Sequence, residues 1–463
     1  MRPGPGRTGT GGLGKADGMT PDPTPGGSAR REGDGRPDRG AAMHALVAKL
    51  YPICRSLAGP GNRATLDVIG REIGLVRTEV PTGAPALDWT VPREWSCTEA
   101  WIRDPAGRLA LDFAASNPHV LSYSVPVRRR LPLAELRTHV FTLPDRPDAI
   151  PYRTSYYSKD WGFCMRHRDL ERLEEGEYEV CIASEHEDGA LSYGEHVIPG
   201  QGGREFLLSA HICHPSLAND NCSGIAVLVE LAKTLAGRDL RHTYRMVFAP
   251  ATVGALVWLS RNEETVGRID HGLVVSCLGD GGGPTYKRSR RGDALIDRAM
   301  AMVLRRDFPA GEVRDFSPYG YDERQYCSPG YDLPVGLLQR GAFAEFPEYH
   351  TSADDLDFVR PEHLAASHDL ILAAIEIVEA DWTPVNLSPK GEPQLGRRGL
   401  YGSIGGNPAG DWTMALLWTL NLADGRHGLL DMAERSGLDF RTIAAAADRL
   451  RVAGLLAERT PQA

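Results

Sequence analysis

Hydrophobic and polar positions along this chain fall into successive textures, each predicting a different kind of structure. From Met43, in MHALVAKLYPICRSL, apolar side chains recur at helical spacing, and the spacing resumes over Arg63 to Ile73 after the GPGN breaker at Gly59 to Asn62. Two opening helices follow from it. From Ala86 to about Gly200 the pattern shortens to alternating runs, such as Ala110 to Phe113, His119 to Val125 and Tyr178 to Ser184, bounded by turn residues. This predicts an inserted, mainly β domain. From Arg204 strand and helix patterns alternate: EFLLSA (Glu205 to Ala210), a helix from Gly224, YRMVFAP (Tyr244 to Pro250), an ALVWLS helix, GLVVSCLG (Gly272 to Gly279) and a helix from Ala294 to Leu304. Alternation of that kind predicts an α/β core, a mostly parallel sheet flanked by helices. From Gly410 three short helical runs, with a turn at Ser436 and Gly437, predict a C-terminal winged-helix domain. The expected divisions are a tail at 1–40, a core at 41–85 and 201–385, the β-rich insertion at 86–200, and the winged helix at 390–463.

Composition narrows the function classes. The tail is Gly, Pro, Arg and Asp with almost no large apolar side chain, so it cannot bury enough surface to offset the entropy of ordering, and it is expected to be disordered. The whole chain, 463 residues with 42% hydrophobic and 24% charged, is long enough for a sizeable core. A net charge of -9 argues against nucleic acid as a partner. No apolar run reaches the roughly 18 to 20 residues of a membrane span, and no signal-peptide core opens the chain, so a cytoplasmic protein with no membrane partner is expected. The eight cysteines include no CxxC pair and read as buried thiols rather than a disulfide framework.

Candidate chemistry centres on Ser209 to Gly224, where His211 and Asp220 stand nine residues apart between an apolar strand and a helix. Active sites of parallel sheets lie at strand carboxyl ends. Neutral imidazole and carboxylate oxygen suit zinc, and His350, after the strand-like LPVGLL segment, supplies a third donor of the right type. A lone loop histidine is more often a solvated side chain, so the joint pattern carries the reading.

HICHPSLANDNCSG (His211 to Gly224), PYGYDERQYCSPGYDLPVG (Pro318 to Gly336) and EYHTSADD (Glu348 to Asp355), together with PYRTSYY (Pro151 to Tyr157) and GEPQLGRRGLYGSIGG (Gly391 to Gly406), resemble the bacterial aminopeptidase-like family found in polysaccharide and natural-product gene clusters. The resemblance runs from about residue 45 to 457. It implies a zinc-exopeptidase-like core with an inserted β domain and a C-terminal winged helix. It also implies His211 as the first histidine ligand, Asp220 as the carboxylate bridging two metals and His350 as the last histidine. Departures from the wider zinc aminopeptidase pattern are equally visible. Cys213 stands where an Asp orients the first ligand, and Pro250, Ala251 and Thr252 stand where a Glu pair supplies base and ligand. Cys277 falls near a later Asp ligand, making it a candidate thiolate ligand and Asp280 a candidate substitute carboxylate. The cofactor expectation is therefore zinc, one ion or two.

With the Glu pair gone, another group must accept the proton. Glu323, beside Asp322, which the resemblance implies lines the pocket, is the first candidate, against a structural ion pair with Arg324. His214 is the second, against hydrogen bonding within its loop. The insertion is dense in aromatics, Trp89, Trp95, Trp101, Tyr123, Tyr152, Tyr156, Tyr157, Trp161 and Phe163, most of which read as core. Arg153 in PYRTSYY is the exception, placed to hold a substrate carboxylate. The last helix offers only Arg441, Arg449 and Arg451 among alanines, which suits packing or dimerisation, leaving a homo-oligomer open, more than base reading. The leading expectation is a metal-dependent amide hydrolase acting on a small peptide or aminoacyl conjugate. The alternatives are a non-hydrolytic descendant, by acyl transfer, cyclisation or binding alone, and a ligand-sensing regulator.

Overall fold

The computed structural model describes residues 38–156, 158–342, 344–400 and 410–459. The expected tail lies outside them up to residue 37, and the first helix, Arg39–Leu50, opens earlier than the apolar spacing indicated. Its start is fixed by Asp38, whose carboxylate accepts the Gly40 N–H at 3.0 Å. The second helix, Pro60–Ile73, contains most of the supposed breaker: Pro60 occupies the first turn, where its missing N–H costs nothing.

The core is an eight-stranded sheet. Its strands are β1 (Val76–Pro81), β2 (Ala190–Ile198), β3 (Glu205–His211), β4 (Thr243–Ala249), β5 (Ile269–Val275), β6 (Thr285–Lys287), β7 (Glu312–Arg314) and β8 (Val335–Gln339). They lie in the order β1-β2-β4-β3-β5-β8-β6-β7. The central four, β4, β3, β5 and β8, run parallel, while β2 pairs antiparallel with β1 and β4, and β6 antiparallel with β8. All seven residues of β3 are buried, as expected of a strand covered on both faces. Helices Arg39–Leu50, Gly224–Leu235, Leu295–Asp307 and Pro361–Ala380 share one apolar cluster with one face of the sheet, and Val253–Arg261 packs with the other. The Gly224–Leu235 helix is apolar nearly all round because it lies between the sheet and the helices Arg39–Leu50, Pro60–Ile73 and Pro361–Ala380.

The insertion is narrower than its texture suggested. β1 and β2 are core strands, so the inserted part lies between them, and its last strand, Glu177–Glu187, turns directly into β2. It is built on a four-stranded antiparallel sheet in the order Leu109–Asp112, Glu94–Arg103, Glu177–Glu187, Val127–Pro132. Trp95, Trp101, Tyr123, Tyr152 and Phe163 are buried, whereas Trp89 is exposed and Tyr157 lies outside the described residues.

At the C-terminus, helices Asp411–Leu422, Leu429–Ser436 and Phe440–Val452 are joined by a two-stranded wing, Pro384–Asn386 with Leu456–Glu458. The first wing strand, only three residues long, is why the unit starts earlier than expected. The unit is tied to the core through ion pairs: Arg298 with Asp431 and Glu434, Arg306 with Asp439, and Arg441 with Glu376. Arg441, the first candidate base-reading residue, is thus turned toward the core. Among the described residues no helix is long and apolar enough to cross a membrane.

Candidate metal centre

Four elements meet at the carboxyl ends of the central strands. β3 ends on His211, and the loop beyond it carries Cys213 and His214. Residues 218–223 then make an irregular turn in which Asp220 and Asn221 leave helical geometry before the Gly224–Leu235 helix begins. That turn sits hard against the sheet, since a Cβ on Gly224 would lie 2.2 Å from Asn221 Oδ1 and 2.9 Å from the Val275 carbonyl oxygen. The fourth element is the loop after β8, where His350 adopts a left-handed backbone with φ 53°.

One carboxylate joins the histidines. Asp220 Oδ1 lies 2.9 Å from His211 Nε2, and its other oxygen, Oδ2, lies 3.1 Å from His350 Nε2. Ser276 donates to Oδ1 at 3.3 Å. The His214 ring stands 4.9 Å from that of His211 and 5.0 Å from that of His350. His211, His214 and Asp220 offer ligand atoms all within 4.8 Å of one another. Burial alone would raise the Asp220 carboxyl, but His214 and the hydrogen bonds to His211 and His350 outweigh it and hold it well below the usual range. Burial holds His214 well below the ordinary imidazole value, which keeps its ring in the neutral form that can accept a proton. Imidazole nitrogens and an ionised carboxylate converging on one point fit a zinc-type ion.

The surroundings orient these groups. Asp354, fully buried, accepts the backbone N–H of Asn219 at 2.5 Å and of Asp220 at 2.9 Å, fixing the turn that presents the carboxylate. Tyr321 stacks on His211 with ring centroids 5.1 Å apart, and Tyr349 on His350 at 4.0 Å. Buried Arg55 donates to the His214 carbonyl at 2.7 Å. None of these was singled out from the sequence. Asp354 had a signal, in the acidic pair ending EYHTSADD; the tyrosines and Arg55 had none, because stacking across distant segments leaves no spacing pattern.

The remaining candidate residues have other partners. Glu323 is fully buried with Oε1 2.5 Å from Lys287 Nζ, so its charge is answered by Lys287 rather than Arg324, and none of its described contacts is with the histidines. Asp322, its neighbour, is the acid nearer the site: both its oxygens are buried without a hydrogen-bond partner among the described residues, and burial, opposed by His211, pushes it up to about 7. Asp280 is spent on structure, accepting from Asn219 Nδ2 at 2.8 Å and from the Gly282 and Gly341 N–H groups at 2.7 and 3.0 Å. Cys277 lies next to the site, its Sγ 3.4 Å from Tyr321 Oη and 3.5 Å from Ser276 Oγ, with burial pushing the thiol well up. Of that pair, Ser276 is the one that reaches Asp220. Cys213 accepts the Ala251 N–H at 3.3 Å.

A cavity of about 650 Å³ opens over His214 and His350, walled by Tyr152, Arg153, Tyr156 and Tyr349. Its insertion wall is stapled to the core: Tyr152 donates its N–H to the His350 carbonyl at 2.8 Å, and Pro151 bridges to Thr351.

The family model described as domain of unknown function DUF4910 matches residues 44–381, spanning core and insertion together. The chain belongs to this family. It is aminopeptidase-like, and a winged helix-turn-helix model matches residues 382–458. A Clostridium acetobutylicum relative, named a candidate polysaccharide biosynthesis protein with an aminopeptidase-like domain, is 45% identical over 414 residues, covering 89% of this chain and 95% of its own. A crystal structure of a candidate peptidase from the same organism aligns with TM-score 0.86 and 44% identity over 91% of this chain and 96% of that one. The zinc aminopeptidase of Bacillus subtilis aligns with TM-score 0.54 and 12% identity over 74% of this chain and 95% of that one. At that identity the likeness is one of fold alone.

Proposed function

We propose that this DUF4910 protein is a metal-dependent amide hydrolase of the aminopeptidase type, acting on a small peptide or aminoacyl conjugate in polysaccharide or natural-product biosynthesis. The observation that carries the reading is the single Asp220 carboxylate shared between His211 Nε2 and His350 Nε2 beneath a cavity of ligand size. His211, Asp220 and His350 would hold the ion. Bound there, zinc supplies a Lewis acid and lowers the pKa of water. The protein's own part is to orient these donors through Asp354, Tyr321 and Tyr349 and to wall the substrate with Tyr152 and Tyr156. His214 lines the cavity beside both histidines, which makes it the proton acceptor in place of the absent Glu pair. Asp322 and Glu323 stand behind the site and do not line the cavity.

Metal analysis of the purified chain, with amidase assays on aminoacyl amides, tests the reading. About one or two equivalents of zinc, lost together with turnover in His211→Ala, is the expected result; a protein that takes up no metal defeats it. One observation favours a second reading, acyl transfer or binding without hydrolysis: Ala251 and Thr252 carry no group able to deprotonate water. Metal uptake with no amide turnover would select that alternative.

A further inference from the structure

Arg153 lines the substrate cavity and has no part in the proposed hydrolysis. Arg153 lies on the segment running from Pro151 to Ser155, whose backbone is fixed on both sides. Tyr152 N–H donates to the His350 carbonyl, Ser122 N–H donates to the Arg153 carbonyl at 3.0 Å, and Ser155 N–H donates to the Ser122 carbonyl at 2.9 Å. The guanidinium itself is exposed, lines the cavity and forms no ion pair with a carboxylate among the described residues. Two other charges share the cavity. Arg146 spends its Nη1 on the Pro347 carbonyl, and Asp145 offers one negative charge. The wall therefore carries two guanidinium charges against one carboxylate, an excess of a single positive charge.

Resting on the proposed hydrolase reading, we infer that Arg153 grips the free carboxylate of a dipeptide-sized N-acyl amino acid, with the amide link directed toward His214 and His350. A planar guanidinium with a free donor edge matches a carboxylate bidentately. The cavity has the volume of a small-molecule site. A free α-carboxylate occurs only at a chain end, so gripping it selects short substrates over the interior of a polypeptide. The Tyr152 and Tyr156 hydroxyls, 3.0 Å apart, belong to residues that line the same cavity.

Equilibrium dialysis of the full chain against two dipeptide pools tests this, one with free C-terminal carboxylates and one amidated, with retention read by mass spectrometry. The measurement is made as purified and again after chelation, so that binding is read apart from turnover. The free acids should be retained at least about tenfold over the amides. Arg153→Ala should erase that preference and Arg153→Lys should keep part of it, with circular dichroism unchanged in both, since the side chain is exposed. Equal retention of acids and amides, no retention of either pool, an undiminished preference in Arg153→Ala, or stronger retention of phosphate monoesters would each overturn the inference. Acid-selective retention with no hydrolysis in any metal state would sustain the carboxylate site while defeating the hydrolase reading.

Discussion

Asp220 Oδ2 and His350 Nε2 lie 3.1 Å apart although 130 residues separate them in sequence. Asp220 is placed by a turn after β3, His350 by a loop that the insertion pins through Tyr152. The carboxylate therefore acts as the joint between two separately held halves of the site. Removing either half should have unequal consequences. Asp220→Asn is expected to abolish metal uptake, because both histidines lose their shared partner, whereas His350→Ala should weaken it and leave His211 and Asp220 in place. Titration with zinc in the presence of a competing chelator measures the difference.

Asp354 supports that joint from behind by accepting two backbone N–H groups of the turn. Replacing it with Ala leaves both donors buried and unpaired, at a cost of about 1 to 3 kcal/mol for each unsatisfied group. Metal affinity should fall by roughly 10 to 100-fold, the usual scale for losing a group that orients a ligand. Urea denaturation and zinc titration of Asp354→Ala read the two effects separately.

His214 is cast here as proton acceptor rather than ligand, and one substitution separates the roles. His214→Gln should lower kcat by about 10² to 10⁴-fold, the range of general-base losses, with metal content unchanged. Loss of zinc in this variant would reassign His214 to the ligand set with His211 and Asp220.

Glu323 illustrates the opposite case, a residue chosen from sequence for chemistry that packing uses for structure. Its carboxylate and Lys287 Nζ form a buried pair 2.5 Å apart, and Lys287 also donates to the Ser317 and Tyr319 carbonyls. Glu323→Gln leaves the ammonium uncompensated in the interior, which should cost roughly 3 to 5 kcal/mol in denaturant unfolding while turnover per folded molecule is kept.

The legible parts of this chain are those in which chemistry and local pattern coincide. β3 and the helix after it are read directly from their apolar runs, and His211, Asp220 and His350 stand out because ligand-type residues follow strands. The insertion's true limits were hidden because β2 carries the same alternating texture as the strand Glu177–Glu187 that leads into it, and only hydrogen bonding assigns β2 to the large sheet. The acidic pair Asp322 and Glu323 could not be sorted by sequence, since which carboxylate faces His211 and which faces Lys287 depends on how a single short helix, Glu323–Tyr326, is rotated against the sheet. Arg55, Tyr321 and Tyr349 act through contacts between segments far apart in the chain, so no spacing announces them.

Glu379 provides a pH test of the core that leaves the metal centre untouched. It closes the last turn of the Pro361–Ala380 helix, accepting from His242 Nδ1 at 2.8 Å, the Tyr244 hydroxyl at 2.8 Å and the Arg241 N–H at 2.6 Å. Burial alone would raise its carboxyl, but the hydrogen bonds, that of His242 foremost, bring it down to about 2. A carboxyl whose folded value lies below its unfolded value stabilises the protein fully above the unfolded value, ordinarily about 4.3, and that stability is lost as pH falls toward the folded value. The wild-type protein should therefore lose stability progressively from about pH 4.5 down to pH 2. Glu379→Gln should be less stable at neutral pH and show a shallower decline over that window, because the neutral amide has no proton to gain. Chemical denaturation at several pH values measures both slopes, and parallel curves for the two proteins would show that this network does not set the acid limit of the fold.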